Sequence, residues 1–289
     1  MDLPSRVTIV EVGPRDGLQN EPAKIPLETK IELVERLAAA GPPVVEAGAF
    51  VSPRHVPQMA DSGELFRRLR RRDGVRYPAL IANMLGLELA LRAGVTEIAL
   101  FVSATEGFSR ANINCSRAES FDRLAPAAAL AHVNGMRVRG YVSCVIACPY
   151  DGPTPHANVI EMALRLLELG CDEISLGDTI GVGDADQVRS LIEAVTTQIP
   201  REKLAMHFHD TYGRAVANIE ASLREGITVF DSSVAGLGGC PFALGAPGNV
   251  ATEAVLDLME RLGIETGVDR AAVAETGVWI RKVLKRSAS

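Results

Sequence analysis

His207-Phe208-His209 sets two imidazoles two residues apart, and on an extended strand residues i and i+2 face the same way. At the end of such a strand both rings would converge on one point. A carboxylate from another strand turns the pair into a three-ligand site for a divalent cation with coordination positions left open. Asp16, within Gly13-Pro14-Arg15-Asp16-Gly17, is the natural supplier. The same residues admit a plainer use: a lone structural histidine, and a tight turn shaped by Pro14 and Gly17 in which Arg15 and Asp16 pair with neighbours. Cys240 is a second reactive candidate, set among five glycines between Gly236 and Gly248. A thiol on a loop that closes over substrate acts as acid or nucleophile only when closed, while a free cysteine serves equally as small apolar packing. Asp178 could cap the turn after it; Asp210 could hold a metal ligand from behind or, more simply, cap the helix starting near Gly213, and Cys144 and Cys148 read as buried small residues.

These groups need a scaffold that gathers them. Short β-branched runs occur at 7–12, 44–46, 77–82, 97–102, 138–143, 173–176, 204–208 and 228–230. Amphipathic stretches lie between them, among them 27–40, 117–133, 156–169, 185–198 and 213–224. Gly41, Gly94, Gly135, Gly170 and Gly226 stand just before five of the runs, where a left-handed residue ends a helix. Strict alternation implies parallel strands with right-handed crossovers, and eight units in about 250 residues predict a closed (β/α)8 TIM barrel. An open doubly wound sheet is the alternative, although no G-x-G-x-x-G follows the first run. Barrel enzymes collect chemistry where strands end, and here the runs end in Glu11, Glu46, Asn83, Ser103, Ser143, Asp178, His207, His209 and Asp231. The Arg67 to Arg72 cluster reads as a solvated helix face. Beyond Gly263 the pattern predicts a last barrel helix and an additional C-terminal helix, and with no linker in sight the chain reads as one domain over 1–289.

Composition narrows the partners. Apolar residues make up 47% of the 289 positions, and 30 Lys plus Arg stand against 36 Asp plus Glu, so no basic field exists to hold nucleic acid. No apolar run is long enough to span a membrane, and the first residues lack a secretory signal pattern, which predicts a cytoplasmic protein. Five cysteines without a Cys-x-x-Cys read as free thiols.

Several strings together resemble the 3-hydroxy-3-methylglutaryl-CoA lyase family: Val10-Glu11-Val12-Gly13-Pro14-Arg15-Asp16-Gly17-Leu18-Gln19-Asn20-Glu21, Asn112-Ile113-Asn114-Cys115-Ser116, Leu176-Gly177-Asp178-Thr179, His207-Phe208-His209-Asp210, and Val234-Ala235-Gly236-Leu237-Gly238-Gly239-Cys240-Pro241. The resemblance runs in order along nearly the whole chain. It implies a TIM barrel that holds Mg2+ or Mn2+ through Asp16, His207, His209 and Asn249. It implies a retro-Claisen cleavage of an acyl-CoA substrate to acetyl-CoA and acetoacetate, in leucine breakdown. Arg15 would then stabilise the enolate, Cys240 would donate a proton, and Glu46 would orient Arg15. Gln19, Asn83 and Asp178, with Arg15, would contact substrate, and the chain would form a homodimer. Two positions depart from the family's usual pattern: His55 stands where an aromatic is common, and Leu85 where a lysine is common. A lyase for another 3-hydroxy-3-alkyl acyl-CoA is therefore the alternative. From other classes, a condensing synthase on the same barrel and an idle metal-binding barrel remain as readings.

Overall fold

The computed structural model describes residues 3–238 and 248–287. The β-branched runs become nine parallel strands: β1 (Thr8–Glu11), β2 (Val44–Val45), β3 (Gly48–Phe50), β4 (Ala79–Ile81), β5 (Glu97–Ser103), β6 (Arg137–Ser143), β7 (Glu173–Asp178), β8 (Leu204–Phe208) and β9 (Val229–Ser232). They hydrogen-bond in the order β2-β1-β9-β8-β7-β6-β5-β4-β3. Because β2 runs directly into β3, the sheet closes on itself. The Glu46 amide bonds the Glu11 carbonyl at 2.9 Å on one side, and the Ala47 amide bonds the Pro78 carbonyl at 3.1 Å on the other. This is the expected (β/α)8 barrel, with its second strand broken in two.

The break is a shift of alternation. Val44 pairs with Val10, and Ala49 pairs with Leu80, which pairs in turn with Ala99 beside Arg139. Glu46 and Ala49 thus share the inner face although they are three positions apart, an odd step that regular alternation would put on opposite faces. One extra residue at Glu46-Ala47 accounts for this, as in a β-bulge.

Around the sheet lie α1 (Leu27–Ala39), α2 (Ser62–Arg68), α3 (Met84–Arg92), α4 (Glu106–Ile113), α5 (Arg117–Val133), α6 (His156–Glu168), α7 (Ala185–Thr196), α8 (Ala215–Arg224), α9 (Thr252–Leu262) and α10 (Arg270–Ser287). All five flagged glycines have φ between +68° and +101°, a conformation open to glycine at little cost. Two expectations are corrected. The last barrel helix is α9, which ends at Gly263 in a left-handed cap, so a single helix, α10, follows that residue. It packs on α1, where the Arg36 guanidinium lies 4.6 Å from the Trp279 ring centroid. The arginine cluster is only partly helical: α2 stops at Arg68, because Leu69 turns extended to bury its side chain. No described helix is long and apolar enough to cross a membrane.

Candidate functional site

After β1 the backbone winds into one π-helical turn, Gly13–Gly17, in which the amides of Arg15, Asp16 and Gly17 all point at the Val12 carbonyl, at 3.1, 2.8 and 3.2 Å. That winding lifts Arg15 and Asp16 over the barrel mouth. Glycine is required at 17 by proximity, since a Cβ there would lie 2.8 Å from both the Leu237 Cβ and the Ser233 Oγ. The tight-turn reading of this segment is realised, with Arg15 and Asp16 paired to each other across it.

Arg15 is clamped. Its Nε and Nη2 both donate to Glu46 Oε2, at 2.7 and 2.6 Å, and its Nη1 pairs with Asp16 Oδ1. Burial alone would lower its pKa, but the charges of Glu46 and Asp16 outweigh that and raise it, so it is permanently cationic. The opposite holds at Asp16. Burial would raise its pKa, yet Arg15, with lesser help from the two histidines, holds the carboxyl well below the ordinary range.

The ligand atoms of Asp16, His207 and His209 lie within 4.8 Å of one another. His209 is pushed down to about 4 by burial and by the neighbouring His207, so its ring is neutral and able to ligate near pH 7. Its Nδ1 is buried without a hydrogen-bond partner. Asn249, bridged to His209 in backbone pairing, donates from Nδ2 to Asp16 Oδ2 at 2.8 Å and to the Leu237 carbonyl at 3.1 Å. That fixes the amide so that Oδ1 is left buried and unpartnered. Orphaned polar atoms of this kind cost about 1–3 kcal/mol each, and a hard or borderline cation would satisfy both. The donor set of carboxylate, imidazole and amide oxygen fits Mg2+ or Mn2+.

The other expected residues divide. Gln19 donates to Asp16 Oδ1 at 2.8 Å and steadies it. Asp178 accepts the Gly183 amide at 2.8 Å, so it does cap the following turn, while its Oδ1 stays buried without a partner and burial raises its pKa. Asn83 is exposed and caps α3, accepting from the Gly86 amide at 3.0 Å. Asp210 accepts from the Ala215 amide and caps α8 as expected. Cys144 and Cys148 are buried, and the Cys144 thiol is pushed up to about 12 by burial. Cys240 lies outside the described residues. Beside the site, Leu237 and Gly238 join Glu21, Arg281 and Lys285 in lining a cleft of about 450 Å³.

Sequence reasoning named Asp231 only as a strand end and missed Arg139 and Tyr141, which tie it into the barrel interior. Arg139 donates to Asp231 Oδ1 at 2.7 Å and to the Tyr141 hydroxyl at 2.9 Å, and that hydroxyl reaches Glu46 Oε2 at 3.4 Å. Asp231 meets His207 Nδ1 at 3.2 Å. The signal was present in alternation: positions 137, 139, 141 and 143 are Arg, Arg, Tyr and Ser.

Fold and site define a class: a (β/α)8 barrel with a candidate cation site and a fixed guanidinium at the end where its strands terminate. The family model described as HMGL-like matches residues 6–280, and the chain belongs to that family. A 3-hydroxy-3-isohexenylglutaryl-CoA/hydroxy-methylglutaryl-CoA lyase from Pseudomonas aeruginosa is 56% identical, covering 99% of this chain and 96% of the relative. A hydroxymethylglutaryl-CoA lyase from Pseudomonas mevalonii is 54% identical, covering 95% and 91%. A crystal structure of hydroxymethylglutaryl-CoA lyase from Pseudomonas aeruginosa superposes with a TM-score of 0.96 at 57% identity, covering 98% of this chain and 95% of that one.

Proposed function

We propose that the chain is a divalent-cation-dependent carbon-carbon lyase that cleaves 3-hydroxy-3-methylglutaryl-CoA to acetyl-CoA and acetoacetate. The observation that carries this reading is the convergence of Asp16, His207 and His209 beside an Arg15 locked by Glu46. Asp16, the two imidazoles and Asn249 Oδ1 would hold Mg2+ or Mn2+, which supplies Lewis acidity that lowers the pKa of the substrate's C3 hydroxyl. As that hydroxyl passes its proton to solvent, its O–H electrons become the ketone of acetoacetate, the C2–C3 bond breaks, and C2 keeps the electron pair of that bond as a thioester enolate. Arg15, unable to lose its proton and already desolvated, stabilises the charge on the thioester oxygen. Glu46 holds the guanidinium in place, so no reorientation is needed as charge develops. Cys240 then protonates C2 and yields acetyl-CoA. Gln19 supports Asp16, and Asn83 and Asp178 are the further substrate contacts. Arg281 and Lys285 at the neighbouring cleft supply positive charge suited to an anionic CoA chain.

Acetoacetate release from the six-carbon thioester by protein supplied with Mn2+, abolished by EDTA and restored by added metal, is the expected result; no release with metal present overturns the reading. For Cys240→Ala the expected result is a folded protein with turnover reduced about 100-fold or more. A normal rate returns the thiol to packing.

A second reading, a lyase acting also on longer 3-alkyl homologues, is favoured by the P. aeruginosa relative whose name includes the isohexenyl substrate. Exposed Leu85 and His55 support altered contacts at the mouth. A panel of 3-hydroxy-3-alkyl acyl-CoA thioesters separates the two. By the same family likeness the protein works as a homodimer in the cytoplasm, which sedimentation and cell fractionation test.

A further inference from the structure

We propose that Asp231 is a positioning residue that sets the tautomer of His207, and that Arg139 and Ser175 hold it to that task. This rests on the cation reading above. Asp231 is fully buried on β9, directly opposite His207 on β8. Its Oδ1 takes the Arg139 Nη2 at 2.7 Å, and its Oδ2 takes the Ser175 hydroxyl at 2.8 Å and faces His207 Nδ1 at 3.2 Å. A carboxylate held by a guanidinium offers only acceptors, so Nδ1 of His207 carries a proton, and in the neutral ring the lone pair is left on Nε2. Nε2 is then the atom free to ligate. The Tyr141 ring, edge-on to the imidazole at 6.3 Å between centroids, keeps the plane from turning. A metal-bound histidine whose second nitrogen is held by a carboxylate is better oriented and more basic than one left free.

The charge matters as well as the shape. In Asp231→Asn, Arg139 and its five donors would claim the amide oxygen. The amide NH2 would then face His207 and donate to Nδ1, which moves the ring proton to Nε2 and blocks ligation. The substitution removes no ligand and adds almost no volume, yet it should disable the site. Arg139 has a second tie, through the Tyr141 hydroxyl to Glu46 and so to Arg15, which places the His207 support and the Arg15 clamp in one connected set.

The test is Mn2+ titration by calorimetry of metal-stripped wild type, Asp231→Asn and Ser175→Ala. We expect the Mn2+ Kd to rise by about 10- to 100-fold in Asp231→Asn, with a smaller weakening in Ser175→Ala, which loses one hydrogen bond and keeps the Arg139 pair. Wild type that binds Mn2+ while Asp231→Asn binds it equally well overturns the role of Asp231 alone. Wild type that fails to bind overturns the cation reading itself. Should Asp231→Asn not fold, 15N spectra of wild-type histidines under alkaline conditions decide, with His207 assigned by its loss in His207→Gln. Protonated Nδ1 with bare Nε2 is expected; the reverse tautomer overturns the proposal.

Discussion

Between the sheet and its helices lies a continuous apolar layer that includes Ile9, Leu33, Leu37, Leu87, Leu100, Leu166 and Ile192, all fully buried. Inside the barrel Val10, Val12 and Val44, with Val229 against them, form a small separate cluster, and Ala49, Leu80 and Ala99 add apolar wall on the opposite side. Between them the interior carries a polar set: Arg15, Glu46, Arg139, Tyr141, Ser175, His207 and Asp231. Most barrels fill this space with branched aliphatics. The two sides also treat a buried carboxylate differently. On the outer side Glu11 accepts only from neutral donors, the Gly13 and Val234 amides and the Thr252 hydroxyl, and burial lifts its pKa to about 7. On the inner side burial would raise Asp231 too, but Arg139 overrides it and the pKa falls. Stability is concentrated outside the sheet, and charge fixed for chemistry inside it.

The contrast is sharpest for His209→Ala. Bound metal and turnover should vanish together, a loss larger than the roughly 100-fold that removing a supporting group costs. Metal analysis beside the acetoacetate assay checks it, and stoichiometric metal with normal activity would sink the inner site. Leu166→Ala, in the outer layer, should cost about 2–5 kcal/mol of stability and lower the Tm while leaving kcat near wild type. If kcat collapses with the Tm, the division of labour is wrong.

Glu11→Gln probes the outer carboxylate through pH. The folded-state pKa near 7 lies above the unfolded value of 4.5, so the folded protein binds the extra proton between those values. Its contribution to stability is full below the lower value and is lost as pH rises through the higher one, in total on the order of 3 kcal/mol. Glutamine, always neutral, should flatten that dependence, as chemical unfolding on either side of the window would show; an unchanged slope would mean that other groups carry it. The smallest effect is expected of Leu85→Lys, at the exposed start of α3. Adding a solvent-screened cation there should lower KM for every CoA thioester by about 1 kcal/mol or less, with their rank order kept. Reordered substrates would place Leu85 against the acyl group.

Outer packing was legible in the sequence because it is written locally. Helix-ending glycines, β-branched runs and the two-residue spacing of the histidines each sit within a few positions of the feature they specify. The inner network is not local: Arg139 and Asp231 are 92 residues apart. Parallel strands are buried on both faces, so alternation along 137–143 marked two faces without telling which one looks inward. Asn249 carries no spacing signal toward Asp16 and entered through family likeness alone. The break at Glu46-Ala47 was invisible for another reason, since one additional residue in a strand alters neither composition nor hydropathy.

That extra residue makes the length of the second strand, and not only its lettering, a heritable constraint. Removing Ala47 would restore regular alternation and rotate the following segment by half a turn. Gly48 and Phe50, which now face Ser62 and Phe66 of α2, would swing inward, and Ala49 would face the helix layer. A benzyl group would then enter the chamber that Glu46 and Arg15 occupy, while α2 would lose its aromatic partner. Substitutions along this stretch can be absorbed one at a time. A single-codon deletion strikes both sides of the wall at once, so lineages sharing this barrel should vary here in residue type far more readily than in residue number.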